Sequence, residues 1–192
     1  MSSHSNLIQL MLSSKRTVFT IQSLMMLSGC NDGMKLTKSL HYYAREGVIL
    51  NPRRGIYSKL EYDDEEMACS LFNPSYISLE YVLARTGVIF QWDESVTCVS
   101  YLSRQVSVGN RNFQFRRITP ELWIGMEGIE QRDNVAIASA EKAFLDMVYL
   151  SAGNCYFDNL RPLSISKIRG LVPLYRSSIL NERVAALLNF KL

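Results

Sequence analysis

Hydrophobic and polar positions change period along this chain, and the changes predict its elements. Up to residue 46 the apolar residues recur at helical spacing. "SNLIQLML" predicts a short helix capped by Ser5, and "TVFT" a short extended stretch. Thr20 offers a hydroxyl to cap "IQSLMMLS", and Gly29 suits the left-handed position that closes that helix. After the turn "GCND", Asn31 or Asp32 caps a third helix, "GMKLTKSLHYYARE", which Gly47 terminates. The pattern then becomes extended: "VIL" and "IYS" flank "NPRRG". Pro52 presets a turn φ and Gly55 supplies a positive one, so a hairpin with a four- or five-residue loop is expected, with Arg53 and Arg54 at its exposed tip.

The third helix has two unlike faces. Leu36, Leu40, Tyr43 and Ala44 form an apolar stripe that faces a core. Lys35, Lys38, His41, Tyr42 and Arg45 share the other side, with no acid until Glu46. A face that serves only solubility usually mixes charge signs through (i, i+4) pairs. Helix, strand, helix, turn, helix, hairpin is the order of a winged helix-turn-helix, whose third helix enters the major groove and whose hairpin lies beside it. Lys35, Lys38, His41, Tyr42, Arg45, Arg53 and Arg54 are therefore the expected DNA-binding residues.

The acidic run "EYDDEEMACSLF" suits the first turn of a helix and marks a junction. The expected division is a DNA-binding domain over residues 1–61 and a second domain over 62–192. In the second, "YISLEYVLARTGVI" predicts a helix capped by Ser78 and stopped by Gly87. "ESVTCVSYLS" predicts a strand, and "RQVSVGNRNFQFRRIT" a hairpin about "GNRN" with Val106 and Val108 opposite Phe113 and Phe115. "ELWIGME" and "NVAIAS" predict further strands. "SAEKAFLDMVYL" is a helix capped by Ser139, and "SISKIRGLVPLY" and "ILNERVAALLNF" are two more. The fold class is α+β, with a mainly antiparallel sheet and C-terminal helices in the second domain.

Charge sharpens this picture. Residues 1–60 hold eight basic residues against two acids, a net +6; the whole chain is +3, so the remainder is −3. An anionic polymer is the partner this asymmetry suggests. No apolar run reaches the roughly 18 residues of a membrane helix, and the N-terminus lacks a charged leader before an apolar stretch. Cys30, Cys69, Cys98 and Cys155 match no zinc or redox spacing and read as reduced, mostly buried thiols of a cytoplasmic protein.

Catalytic chemistry is not visible. There is no phosphate-binding glycine loop, and His4 and His41 have no metal or general-base setting. "DDEE" spreads around a helix, capping and surface placement account for Glu141 and Asp146, and Trp92 and Trp123 read as packing residues. No enzyme activity, cofactor or metal is expected.

"VFTIQSL", "GVILNPRRGIYSK", "NPSYISLEYVLARTGVI" and "VAIASAEKAFLDMVYL", in this order, resemble the AbiEi antitoxins of type IV abortive-infection toxin–antitoxin systems. The resemblance spans roughly residues 17 to 150. It implies a winged helix-turn-helix that represses its own operon and a second domain that neutralises a nucleotidyltransferase-like toxin. Arg53, Arg54, Gly55 and Tyr57 match the wing motif; Ser139, Glu141, Lys142 and Asp146 match a motif of the second domain. The expected partners are double-stranded operator DNA and that toxin, and no membrane. The alternative is a winged-helix regulator whose second domain senses a ligand or dimerises, with no toxin.

Overall fold

The computed structural model of the chain describes residues 3–91, 94–123, 126–152 and 154–189. Trp92 lies outside the described residues, as do the side chains of His4 and Trp123. The chain divides into two compact units, Met1–Leu71 and Phe72–Leu192.

The first unit runs α1 (Ser3–Ser13), β1 (Val18–Thr20), α2 (Ile21–Ser28), α3 (Gly33–Arg45), β2 (Leu50–Arg53), β3 (Ile56–Ser58) and α4 (Asp64–Leu71). Local chemistry sets most of these limits. Thr20 Oγ1 accepts from Ser23 N at 3.1 Å while Ser23 Oγ accepts from Thr20 N at 3.0 Å, a reciprocal cap on α2. Asp32 Oδ1 caps α3, accepting from Met34 N at 3.1 Å and Lys35 N at 3.0 Å. α1 starts at Ser3, so Ser5 lies inside the helix and is not its cap. The three strands form a sheet in the order β1-β3-β2, with Phe19 opposite Tyr57. Leu7, Met11, Phe19, Leu24, Leu36, Leu40, Ile49 and Tyr57 close one core between helices and sheet.

The first unit continues to Leu71, where a boundary after residue 61 was expected. The reason is Glu66. Its Oε2 accepts from Thr17 N at 2.6 Å, Thr17 Oγ1 at 2.7 Å and Val18 N at 2.9 Å, which clasps α4 onto β1. The acidic run is therefore not a junction. Its five acids join the unit, leaving seven acids against the same eight basic residues, a net +1. The cationic surplus is a property of α3 and the hairpin, not of the whole unit.

The second unit is built on a six-stranded sheet in the order β6-β7-β5-β4-β9-β8. Its strands are β4 (Ser75–Ile77), β5 (Val96–Ser100), β6 (Arg104–Val108), β7 (Arg111–Arg117), β8 (Ile129–Arg132) and β9 (Val135–Ala138). Its helices are α5 (Glu80–Arg85), α6 (Ala140–Leu150), α7 (Ile165–Leu171) and α8 (Ser178–Leu188). The pairings β5–β7 and β4–β9 are parallel and the others antiparallel, so the sheet is mixed. Long crossovers, rather than hairpins alone, connect it. The architecture as a whole is α+β.

Three expectations differ. Residues 75–77 extend as a central strand between β5 and β9 rather than opening a helix, because ladder pairing on both sides outweighs local propensity. Ser78 consequently does not cap α5; the fully buried Leu79 turns the chain with φ +62° instead. The start of "ELWIGME" belongs to a 3₁₀ turn, Pro120–Trp123, rather than a strand; Ile124 and Gly125 lie outside the described residues, and the neighbouring strand is β8. The β6–β7 hairpin turns at Gly109–Asn110 rather than about all of "GNRN", so the register is shifted: Val106 pairs with Phe113, Val108 with Arg111 and Phe115 with Arg104. Cys98 is buried, Cys30, Cys69 and Cys155 are half-buried, and all four lack a disulfide. No helix among the described residues is long and apolar enough to cross a membrane.

Candidate functional site

Two features stand out, one in each unit. The first is the outward face of α3. Leu36 and Leu40 are buried, and Tyr43 and Ala44 pack partly against the core, which fixes the helix about its axis. Lys35, Lys38, His41, Tyr42 and Arg45 are all exposed on the opposite side. Arg45 lies 5.8 Å from the Tyr42 ring centroid and 3.8 Å from Glu46 Oε1, an exposed pair that leaves the guanidinium available. His41 packs its ring 6.1 Å from Tyr57.

The hairpin is tighter than expected. Arg53 pairs with Ile56, so the loop is only Arg54–Gly55, with Gly55 at φ +81°. Asn51 Nδ2 braces it, donating to Ile56 O at 2.8 Å and Arg53 O at 3.0 Å. Gly55 O accepts from Ile21 N at 3.2 Å, which ties the tip to the start of α2. Arg54 is exposed at the tip, but Arg53 lies in β2 and is half-buried, so the two arginines are not equivalent.

The second feature was not legible as a site. Asp146 is fully buried in α6, not on the surface. Its Oδ1 accepts from Lys142 Nζ at 2.5 Å and Tyr175 OH at 2.6 Å. Its Oδ2 accepts from Ser78 Oγ at 2.8 Å and Tyr76 OH at 3.1 Å. Lys142 Nζ also donates to Tyr175 OH at 2.8 Å and Tyr76 OH at 2.9 Å, so its three protons and both carboxylate oxygens are used. Burial, then the Asp146 charge, pushes the Tyr76 and Tyr175 hydroxyls well above the usual phenol value. Both remain donors at neutral pH. The cluster ties β4, α6 and the 3₁₀ turn Val172–Tyr175 together, and the bonds above commit the Lys142 protons and both Asp146 oxygens to members of the cluster itself.

Glu141 is buried too. Its Oε1 accepts from Ser164 N at 3.1 Å, at the start of α7, while Ser139 Oγ caps α6 through Lys142 N at 3.2 Å. Of the polar residues of "SAEKAFLD", Ser139 thus caps the helix, Glu141 holds the start of α7, and Lys142 and Asp146 hold each other together with Tyr76 and Tyr175. The available signal was a lysine and an aspartate at i, i+4 inside an otherwise apolar run, a spacing that buries well only as a pair.

A cavity of about 260 Å³ opens beside this cluster, lined by Glu121, Glu127, Lys142, Leu174, Tyr175 and Arg176 among others. No group of three or more His, Cys, Asp or Glu among the described residues is arranged to hold a metal ion.

No protein-family model matches the chain, and no curated protein matches it in sequence. In fold it is similar to the crystal structure of the RV2827C protein from Mycobacterium tuberculosis, with a TM-score of 0.56 and 12% identity over 97% of this chain and 76% of that one. At that identity the likeness concerns the α+β architecture alone.

Proposed function

We propose that this protein is a DNA-binding autorepressor whose second unit serves as the antitoxin of a type IV toxin–antitoxin pair. In this reading the first unit is a winged helix-turn-helix: α2 and α3 form the helix pair, α3 reads the major groove, and the β2–β3 hairpin is the wing. The observation that carries it is the orientation of α3, which buries Leu36 and Leu40 and leaves Lys35, Lys38, His41, Tyr42 and Arg45 exposed together. Arg54, exposed at the hairpin tip, adds a further cation. Arg53 contributes from the flank of the hairpin rather than its tip. The neutralising role rests on the resemblance to AbiEi antitoxins, and the partner it implies is a nucleotidyltransferase-like toxin. The protein acts in the cytoplasm and carries out no catalysis itself.

A gel-shift titration on the chain's own promoter, run across a salt series beside a toxin co-expression growth assay, tests both halves. Log K should fall with log[salt] by about 0.9 per phosphate contact, giving a slope of several units. A flat salt response, or no promoter shift, overturns the DNA-binding reading. Failure to rescue growth from the toxin of the neighbouring gene overturns the antitoxin reading. The cavity beside Lys142 favours the second reading, a winged-helix regulator with a ligand-sensing second unit and no toxin partner; promoter binding without rescue would select it.

A further inference from the structure

The cavity beside the buried cluster has polar groups of two kinds, and they differ in availability. Lys142 and Tyr175 at its inner side are committed to Asp146 and to one another. Glu121, Glu127 and Arg176 are exposed at its margin, and none of them takes part in an ion pair among the described residues. What the cavity offers a ligand is therefore two carboxylates, one guanidinium and the aliphatic surface of Leu122, Pro173 and Leu174.

These groups sit on anchored backbone. Gly128 follows Glu127 at φ +76°, and its O accepts from Ser139 N at 2.7 Å. A Cβ there would lie 3.0 Å from Lys142 Cβ and 3.1 Å from Leu171 Cδ1, so the loop carrying Glu127 is pressed onto α6 and α7. Arg176 occupies a left-handed conformation at φ 48°, between the buried Tyr175 and Ser177, whose Oγ caps α8 by accepting from Leu180 N at 3.2 Å. A non-glycine residue held at positive φ persists only where its surroundings fix it. Glu121 stands on the 3₁₀ turn closed by Leu122 N donating to Thr119 O at 3.1 Å.

We infer that this cavity is a binding site for a free α-amino acid with an apolar side chain. Its ammonium group meets the Glu121 and Glu127 carboxylates, its carboxylate meets the Arg176 guanidinium, and its side chain lies on Leu122, Pro173 and Leu174. The volume of about 260 Å³ is just below the roughly 300–1,000 Å³ of sites for larger organic ligands, which suits a molecule of this size. A purely anionic ligand faces two carboxylates against one guanidinium. A purely cationic one leaves Arg176 without a counter-ion in the same cavity.

Isothermal titration of the full chain with L-leucine, L-isoleucine, L-methionine and L-phenylalanine, each to about 10 mM, reaches millimolar dissociation constants. At least one should bind saturably. The amine and the carboxylic acid that correspond to it, each lacking one charge, should bind about tenfold or more weakly, the effect of one lost charge-assisted contact. Glu121→Gln with Glu127→Gln, and separately Arg176→Gln, should weaken it by a similar factor without moving the ligand-free unfolding midpoint. Absence of saturable binding by all four amino acids, equal affinity for the amine or acid, or unchanged affinity in both variants overturns the assignment. None of these readouts involves DNA or toxin, so the result is independent of the proposed function.

Discussion

Replacing Asp146 by Asn should be among the most destabilising near-isosteric changes in the second unit. The Asp146 carboxylate is fully buried and accepts from Lys142, Tyr175, Tyr76 and Ser78. Asparagine fits the space but keeps one acceptor oxygen, and its NH₂ then faces two donors. The Lys142 ammonium, itself only 7% exposed, loses its counter-ion. Breaking a buried pair from one side costs about 3–5 kcal/mol. For a unit of this size about 4 °C is lost per kcal/mol, so the midpoint should fall by roughly 12–20 °C. Lys142→Met should cost less, because three hydroxyl donors still serve the carboxylate. The double variant should cost less than the sum of the two singles by about 1–3 kcal/mol, since the second change removes the charge that the first left unpaired. Urea unfolding followed by tryptophan fluorescence measures this selectively, because Trp92 and Trp123, the two tryptophans of the chain, both belong to the second unit. Additivity within about 0.5 kcal/mol, or a loss below about 1 kcal/mol for Asp146→Asn, would refute the closed-network account.

Three further outcomes are expected. The folded-state values of Tyr76 and Tyr175 are raised well above 10.0, so both states hold these protons below pH 10, and above it only the unfolded chain releases them. Stability should therefore fall as pH rises beyond about 10, by about 1.4 kcal/mol per unit for each tyrosine, and Tyr76→Phe should remove one such increment from the slope of urea-derived stability against pH. Glu66→Ala removes three hydrogen bonds to a carboxylate in the first unit. It should cost about 2–4 kcal/mol and speed hydrogen exchange at the Thr17 and Val18 amides, a readout local to the clasp. Arg54→Ala should lower the salt slope of operator binding by about 1 with little change in stability, whereas Arg53→Ala, at a half-buried position, should lower the unfolding midpoint as well.

Much of the first unit was legible in the sequence because its signals are local. Thr20, Asp32, Gly29 and Gly47 act on backbone within a few residues, and the 3.6-residue period of Leu36, Leu40, Tyr43 and Ala44 already states which way α3 faces. The exposed cationic side follows from the same period. The hairpin could be recognised from Pro52 and Gly55, but not its loop length or the burial of Arg53. Those depend on register with β3, and a shift in register moves a residue from tip to strand.

What only the tertiary structure decided is where partners distant in the chain meet. Glu66 looked like part of a solvated acidic run until Thr17, 49 positions earlier, supplied its donors and moved the boundary of the unit. Tyr76 and Ser78 looked like a helix start until β5 and β9 paired with β4 on either side. Asp146 looked like a surface acid until Tyr76, 70 positions away, and Tyr175, 29 away, converged on it with Lys142. Caps, turns and periodicity are fixed by bonds within one turn of chain, so composition and spacing carry them. Whether a charge lies in water or in the core depends on donors brought from other elements, because burial is tolerated only where those donors complete it.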